Sequence, residues 1–177
     1  MSSLTDVATL SSGLLTGRLV LGILMAAHGT QKLFGWFGGY GLAGTGGFFE
    51  TLGFRPGRTF AAAASLAEIT GGLLLALGFL GPVGPALIIS VMIVAAVTVH
   101  WKSGLFATTN GIEVPLLYAA GAVTLALTGP GLFSLDALLG LQSLWTPGIA
   151  WGAIAIGVVG GVVNLGLRRP APQPVAA

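Results

Sequence analysis

Five apolar runs, at 14–34, 59–80, 83–99, 114–128 and 148–167, are separated by polar, glycine-rich or proline-bearing breaks. A membrane-crossing helix needs about 20 predominantly apolar residues, and the pattern predicts five crossings. The fourth run is short, so it borrows a turn from 111–113 or lies in a thinned region. The breaks support these limits. Gly81-Pro82 stops the second run, Gly129-Pro130 ends the fourth, and Arg168-Arg169 closes the fifth. Pro85 falls in the first turn of the third run, where proline is tolerated. The predicted fold is an all-α polytopic membrane bundle. A polar segment (1–13) precedes a four-helix core (14–140), a fifth transmembrane helix (141–169) and a proline-rich tail (170–177) expected to be disordered.

Composition excludes the soluble alternative. Charged residues make up 7% of the chain and apolar residues 54%, against roughly 25% charged in soluble domains. Net charge is +2, too small a balance to imply nucleic acid. There is no cysteine, which removes thiol, disulfide and Fe–S chemistry from the chain itself. Residues 1–12 carry Asp6 and no basic residue, so the positive region of a cleavable signal peptide is missing. With five crossings and the N-terminus outside, Lys32, Arg55, Arg58, Lys102, Arg168 and Arg169 all fall on one side. The opposite loops then hold Asp6 and Asp136 and no basic residue, unless Arg18 snorkels out to that side, a split of six to at most one. This asymmetry predicts a multi-pass plasma-membrane protein with a cytoplasmic C-terminus. Without the fifth crossing, Arg168-Arg169 would move to the wrong face.

The loop at 35–58 is long and aromatic. Trp36, Phe37 and Tyr40 suit an interfacial belt. Phe48, Phe49, Leu52 and Phe54 are predicted to form a short amphipathic helix in the interface. Residues 39–44 match GxGxxG literally, but they follow a membrane helix and not a strand, so the dinucleotide reading fails its context test.

Glu68 is the polar residue hardest to place in lipid. It lies deep in the second run, where an ionisable group costs roughly 2.5–3.5 kcal/mol and marks a functional-site candidate. Its neighbours Ala61, Ala64, Ser65, Gly71 and Gly72 admit a close helix partner, which predicts that Glu68 faces another helix. His28 and Lys32 are four apart on the first helix, hence on one face. At 1.5 Å per residue, His28 and Glu68 lie about 9 and 13 Å from the inner ends of their helices and can meet. By the same count, Arg18 reaches only partway. His100 ends the third run and Glu113 begins the fourth, on the same inner side. Glu68 either carries protons or a ligand, or forms a Glu–His or Glu–Lys pair that holds helices together. Glu113 also suits a helix N-terminus. No metal site is read here: two histidines without thiolates would need Glu68 or Glu113 to complete one.

The segments Gly17-Arg18-Leu19-Val20-Leu21-Gly22, Ala27-His28-Gly29-Thr30-Gln31-Lys32, Ala67-Glu68-Ile69-Thr70-Gly71-Gly72, Val99-His100-Trp101-Lys102 and Gly111-Ile112-Glu113-Val114-Pro115 resemble, in series, the DoxX-type membrane proteins. The resemblance covers about residues 14–140 and leaves the fifth helix outside. It implies a four-helix core, with Arg18, His28, Lys32, Glu68, His100 and Glu113 at the polar positions. It also implies links to thiosulfate:quinone oxidoreduction and to complexes handling oxidative and thiol stress. The leading expectation is a quinone-facing subunit of, or partner to, a membrane oxidoreductase. Here Glu68 and His28 carry the chemistry, and Arg18, Lys32, His100 and Glu113 bind the ligand. No covalent cofactor is expected, only a quinone, with a protein partner supplying the redox centre and a homo-oligomer open. The alternatives are a non-catalytic scaffold or assembly factor and a small-solute or proton transporter. The transporter lacks support from inverted repeats.

Overall fold

Residues 4–169 are described by the structure, a computed structural model. Helix α1 runs Leu4–Phe34, beginning ten residues before the first apolar run. In the polar start of the chain Thr9, Ser12 and Thr16 each donate to the carbonyl four residues earlier, so these three hydroxyls bond along the helix and do not draw the backbone into another conformation. Asp6 sits in the first turn, where the helix dipole favours an acid.

The predicted aromatic loop contains a full helix, α2 (Gly41–Thr51). It differs from the expected amphipathic segment, since Leu52 and Phe54 lie past its end. It buries Thr45, and Phe54 is buried just after it, while Phe48 stays exposed. Helix α3 (Gly57–Leu77) follows, closed by Gly78 in the left-handed conformation at φ +63°. Helix α4 (Val83–Ala95) continues into a wide π turn (Ala96–His100) and a 3-10 turn (Trp101–Ser103).

Helix α5 spans Glu113–Thr128. It gains only Glu113 from the segment before its apolar run and stays shorter than the other spans. The short α6 (Leu135–Leu138) precedes α7 (Pro147–Gly166). Thr146 caps α7, accepting from the Ile149 amide at 3.4 Å. Pro147 opens α7 where its missing N–H is not needed. The tail expected to be disordered, 170–177, lies outside the described residues.

Four stretches, Thr5–Phe34, Gly57–Leu77, Val83–Ser103 and Pro147–Gly166, are long and apolar enough to cross a bilayer. Helix α5 also runs from one end of the bundle to the other. It starts beside the loop after His100 and ends where the Leu132 amide donates to Ser11 on α1. The outer surface is apolar, with Ile23, Leu66, Leu117 and Val159 all exposed. In hydrocarbon such residues meet lipid, and the helices satisfy their own backbones. The protein is thus a polytopic helical membrane protein.

Close backbone approach joins the helices. Antiparallel α1 and α3 cross at Gly22 and Gly72. A Cβ on Gly22 would lie 2.5 Å from the Gly72 carbonyl oxygen, and one on Gly72 would lie 2.5 Å from that of Gly22. Parallel α4 and α7 meet in the same manner, with Gly157 against the Ala86 carbonyl. Small residues allow such contact where lipid supplies no hydrophobic drive between helices. Met25, Ile88, Ala122 and Ile154 fill the centre.

Replacing Gly72 with Val forces α1 and α3 apart. The expected cost is about 1–3 kcal/mol, the scale of core overpacking, read as a lower unfolding midpoint in detergent than that of the parent. A Thr70→Val change at an exposed position of the same helix should leave the midpoint in place.

Candidate functional site

Gly29 lies one turn before Lys32, and a Cβ there would come within 2.6 Å of the Ser65 carbonyl oxygen. The backbones of α1 and α3 therefore touch at this level. Lys32, in the last turn of α1, pairs with the Glu68 carboxylate in a short contact between Nζ and Oε1. The Glu68 side chain is 1% exposed and that of Lys32 is 30% exposed. The second carboxylate oxygen, Oε2, is buried without a hydrogen-bond partner. Ser65, one turn away, does not supply one, because its hydroxyl donates to the Ala61 carbonyl at 2.7 Å. Glu68 faces a helix and not lipid, and its partner is Lys32.

Lys32 also lines a partly open cavity of about 750 Å³ between the end of α1, α2, α3, α4 and α7. This lies within the range of ligand pockets. Tyr40, Phe48, Phe49, Phe54 and Phe60 supply aromatic wall, and Ala63, Ala64 and Ala67 of α3 leave the space open. The expected interfacial stripe of Phe48, Phe49, Leu52 and Phe54 is therefore a cavity wall.

Most polar groups around the cavity are engaged by backbone. Gln31 donates to Phe37 O at 3.2 Å, Thr45 to Lys32 O at 3.3 Å, Thr98 to Val94 O at 2.8 Å, and Asn164 to Gly160 O at 2.9 Å. His100, the last residue of the π turn, also lines the cavity. Its Nδ1 lies 2.8 Å from the Asn110 carbonyl oxygen. A carbonyl only accepts, so Nδ1 is the donor in this contact and Nε2 is left for other partners. Lys32 and His100 are the cavity's two basic side chains, and with the Glu68 carboxylate behind Lys32 they make an amphipathic site.

The other candidates from the sequence lie elsewhere. His28 is exposed and meets the ring of Tyr118 edge-on, with centroids 6.2 Å apart. It neither lines the cavity nor pairs with Glu68. The reason is helical phase: at this level α1 turns Lys32 toward α3 and leaves His28 toward α5. Tyr118 is within electrostatic reach of Glu68. Glu113 holds the preceding loop, its Oε2 accepting from the Ala107 amide at 2.7 Å, and does not line the cavity.

Arg18 belongs to the opposite end of the bundle. It is 1% exposed and donates through Nη2 to the Phe133 carbonyl in a short contact, while Nε and Nη1 lack partners. A Cβ on Gly78 would collide with its Nη1, so that end of α3 accommodates the guanidinium only as glycine.

Asp136 interacts electrostatically with Arg18 and is the residue that sequence reasoning undervalued. It is fully buried, and its carboxylate accepts from Leu80 N at 3.0 Å, Gly81 N at 2.7 Å and Trp145 Nε1 at 2.7 Å. These bonds fix the α3–α4 turn, where Leu80 has φ +58°. The available signal was Ser134-Leu135-Asp136, in which Ser134 caps α6 by accepting from the Ala137 amide at 3.1 Å.

The Lys32–Glu68 pair predicts an asymmetric mutant cycle. Lys32→Met strands a carboxylate that water cannot reach and costs about 3–5 kcal/mol. Glu68→Gln costs less, because the half-exposed ammonium can turn into the cavity. The double variant recovers part of the larger loss. Unfolding midpoints in detergent check all three. Equal losses in the two single variants would contradict the burial described.

The family model described as DoxX matches residues 13–101. The match runs from within α1 through the π turn that follows α4, including Lys32, Glu68 and His100, and stops before α5. No curated protein and no solved structure matches the chain.

Proposed function

The chain belongs to the DoxX family, and from that premise we propose that it is the quinone-facing subunit of, or partner to, a membrane oxidoreductase complex in oxidative or thiol/sulfur metabolism. The supporting observation is the cavity of about 750 Å³ with aromatic walls and a lysine backed by a buried carboxylate. A quinone combines an apolar tail with two carbonyl oxygens that need hydrogen-bond donors, and the cavity offers both environments.

Lys32 Nζ is the donor toward a head-group oxygen, and His28, which the sequence reading placed with Glu68 in the chemistry, lies away from the cavity. Glu68 holds the ammonium in position. His100 Nδ1–H is engaged with Asn110, so His100 serves at the mouth through Nε2. The quinone supplies two-electron, two-proton chemistry when bound. The electrons come from a partner, since this cysteine-free chain offers no thiol couple of its own.

A scaffold or assembly role is the second reading. It is favoured by the use of Lys32–Glu68 as a helix-to-helix contact and of Arg18–Phe133 as a helix-to-loop contact, which polar residues make in bundles without any ligand. Lipid extraction from the purified protein separates the two readings. The quinone reading expects menaquinone or ubiquinone at near one per chain. It expects loss of that quinone in Ala67→Trp, which places an indole in the cavity. A folded protein free of quinone in both forms supports the scaffold.

We place the cavity end of the bundle in the cytoplasm. Lys32, Arg55, Arg58, Lys102, Arg168 and Arg169 gather there, and Asp136 lies at the other end with Arg18 as the one basic residue, buried in the bundle, the distribution that basic residues follow in short loops. With no native cysteine, single thiols report sides cleanly. In intact cells, an impermeant maleimide should label Ser143→Cys and spare Lys102→Cys. The reverse pattern would invert the assignment.

A further inference from the structure

The inner end of α7 is bound to the turn between α2 and α3 by three contacts. Arg168 Nε donates to the Leu52 carbonyl oxygen at 2.8 Å. The Arg168 guanidinium lies 5.9 Å from the centroid of the Phe54 ring. The Arg169 amide donates to the Gly53 carbonyl oxygen at 2.8 Å. The fit leaves no room for a side chain between them. Gly53 has φ +94°, and a Cβ there would come within 2.6 Å of the Arg169 carbonyl oxygen.

What α7 holds is a wall of the cavity. Phe54 is 2% exposed, and its ring lies 5.7 Å from that of Phe49 and 5.3 Å from that of Phe60. These three rings and Leu52 all line the cavity. Helix α7 also contributes Asn164, one turn before the arginine pair. That side chain donates its amide to the Gly160 carbonyl at 2.9 Å, which leaves its own carbonyl oxygen as an acceptor. Without the clasp, no hydrogen bond among the described residues joins the Leu52–Phe54 turn to α7.

We propose that Arg168 is a positioning residue for the cavity. Its contacts with Leu52 and Phe54 set the three-ring wall, and through them the fifth helix, which lies outside the family match, becomes part of the ligand site. The arginine pair was read from sequence as a topology anchor alone. Its two members act differently here: Arg168 works through its side chain and Arg169 through its backbone N–H. The proposal's bearing on ligand binding rests on the quinone reading, whereas its bearing on the shape of the cavity does not.

The test uses the full chain with a single cysteine at Ala64, a cavity-lining position. Maleimide labelling rate and quinone content are measured side by side. Arg168→Ala removes a charge-assisted hydrogen bond and a cation–π contact, and labelling at position 64 should rise about tenfold as quinone content falls. Arg168→Lys, which keeps the cation and a donor, should restore both. Arg169→Ala keeps its N–H and should match the parent. A cysteine placed instead at Ala122, fully buried in the core, should stay unreactive in Arg168→Ala, which separates a moved wall from general loosening.

An unchanged rate at position 64 in Arg168→Ala would overturn the proposal, as would an equal rise at position 122. If the parent carries no quinone, the functional reading falls while the labelling series still decides the positioning role. If the parent carries quinone and Arg168→Ala shifts labelling without altering its content, the link between the clasp and the ligand is overturned.

Discussion

The backbone contact between α1 and α3 is the constraint on which the rest of this bundle depends. Gly22 and Gly72 bring the two main chains together at mid-span, and Gly29 does so again one turn from Lys32. Only at that separation does a lysine at the end of α1 reach a carboxylate three turns into α3. The same approach carries Arg18 under the glycine that ends α3. Small residues thus decide where the costly charges go, and the polar contacts then fix one register of the two helices.

The two ends of the bundle use charge in different ways. At one end Asp136 satisfies three donors from the α3–α4 turn and Trp145, and the backbone there is held in positive φ. The Asp136 carboxylate is saturated there, although Arg18 beside it keeps Nε and Nη1 without partners. At the other end Glu68 meets a single cation and retains an oxygen without a partner, and Lys32 faces open space. A bound molecule can therefore change the polar contacts at this end far more than at the first.

Apolar runs and their proline and glycine stops were enough to read the bundle from sequence, because in lipid a helix is the only way for a lone segment to satisfy its backbone. The stripe of small residues around Glu68 correctly pointed that acid at a neighbouring helix. The identity of the neighbour was harder. His28 and Lys32 share a face to within one turn, and helical phase alone could not say which would meet α3 and which α5. That Phe48, Phe49 and Phe54 line a cavity was illegible for a related reason: an aromatic stripe that lies on lipid and one that lines a hole have the same spacing. Asp136 was read as a loop charge because its partners are backbone amides, which leave no trace in residue identity. The clasp on α7 was hidden likewise, since Leu52 and Arg169 contribute main-chain atoms.

Helix α5 has 16 residues, a rise of about 24 Å, beside neighbours of 20 residues and more. A bilayer core is about 30 Å thick. Lipid in contact with that flank must compress to keep the ends of α5 covered, at a fraction of a kcal/mol per ångström. The protein therefore carries an asymmetric collar of thinned membrane, and it will settle most readily where the surrounding bilayer is already thin.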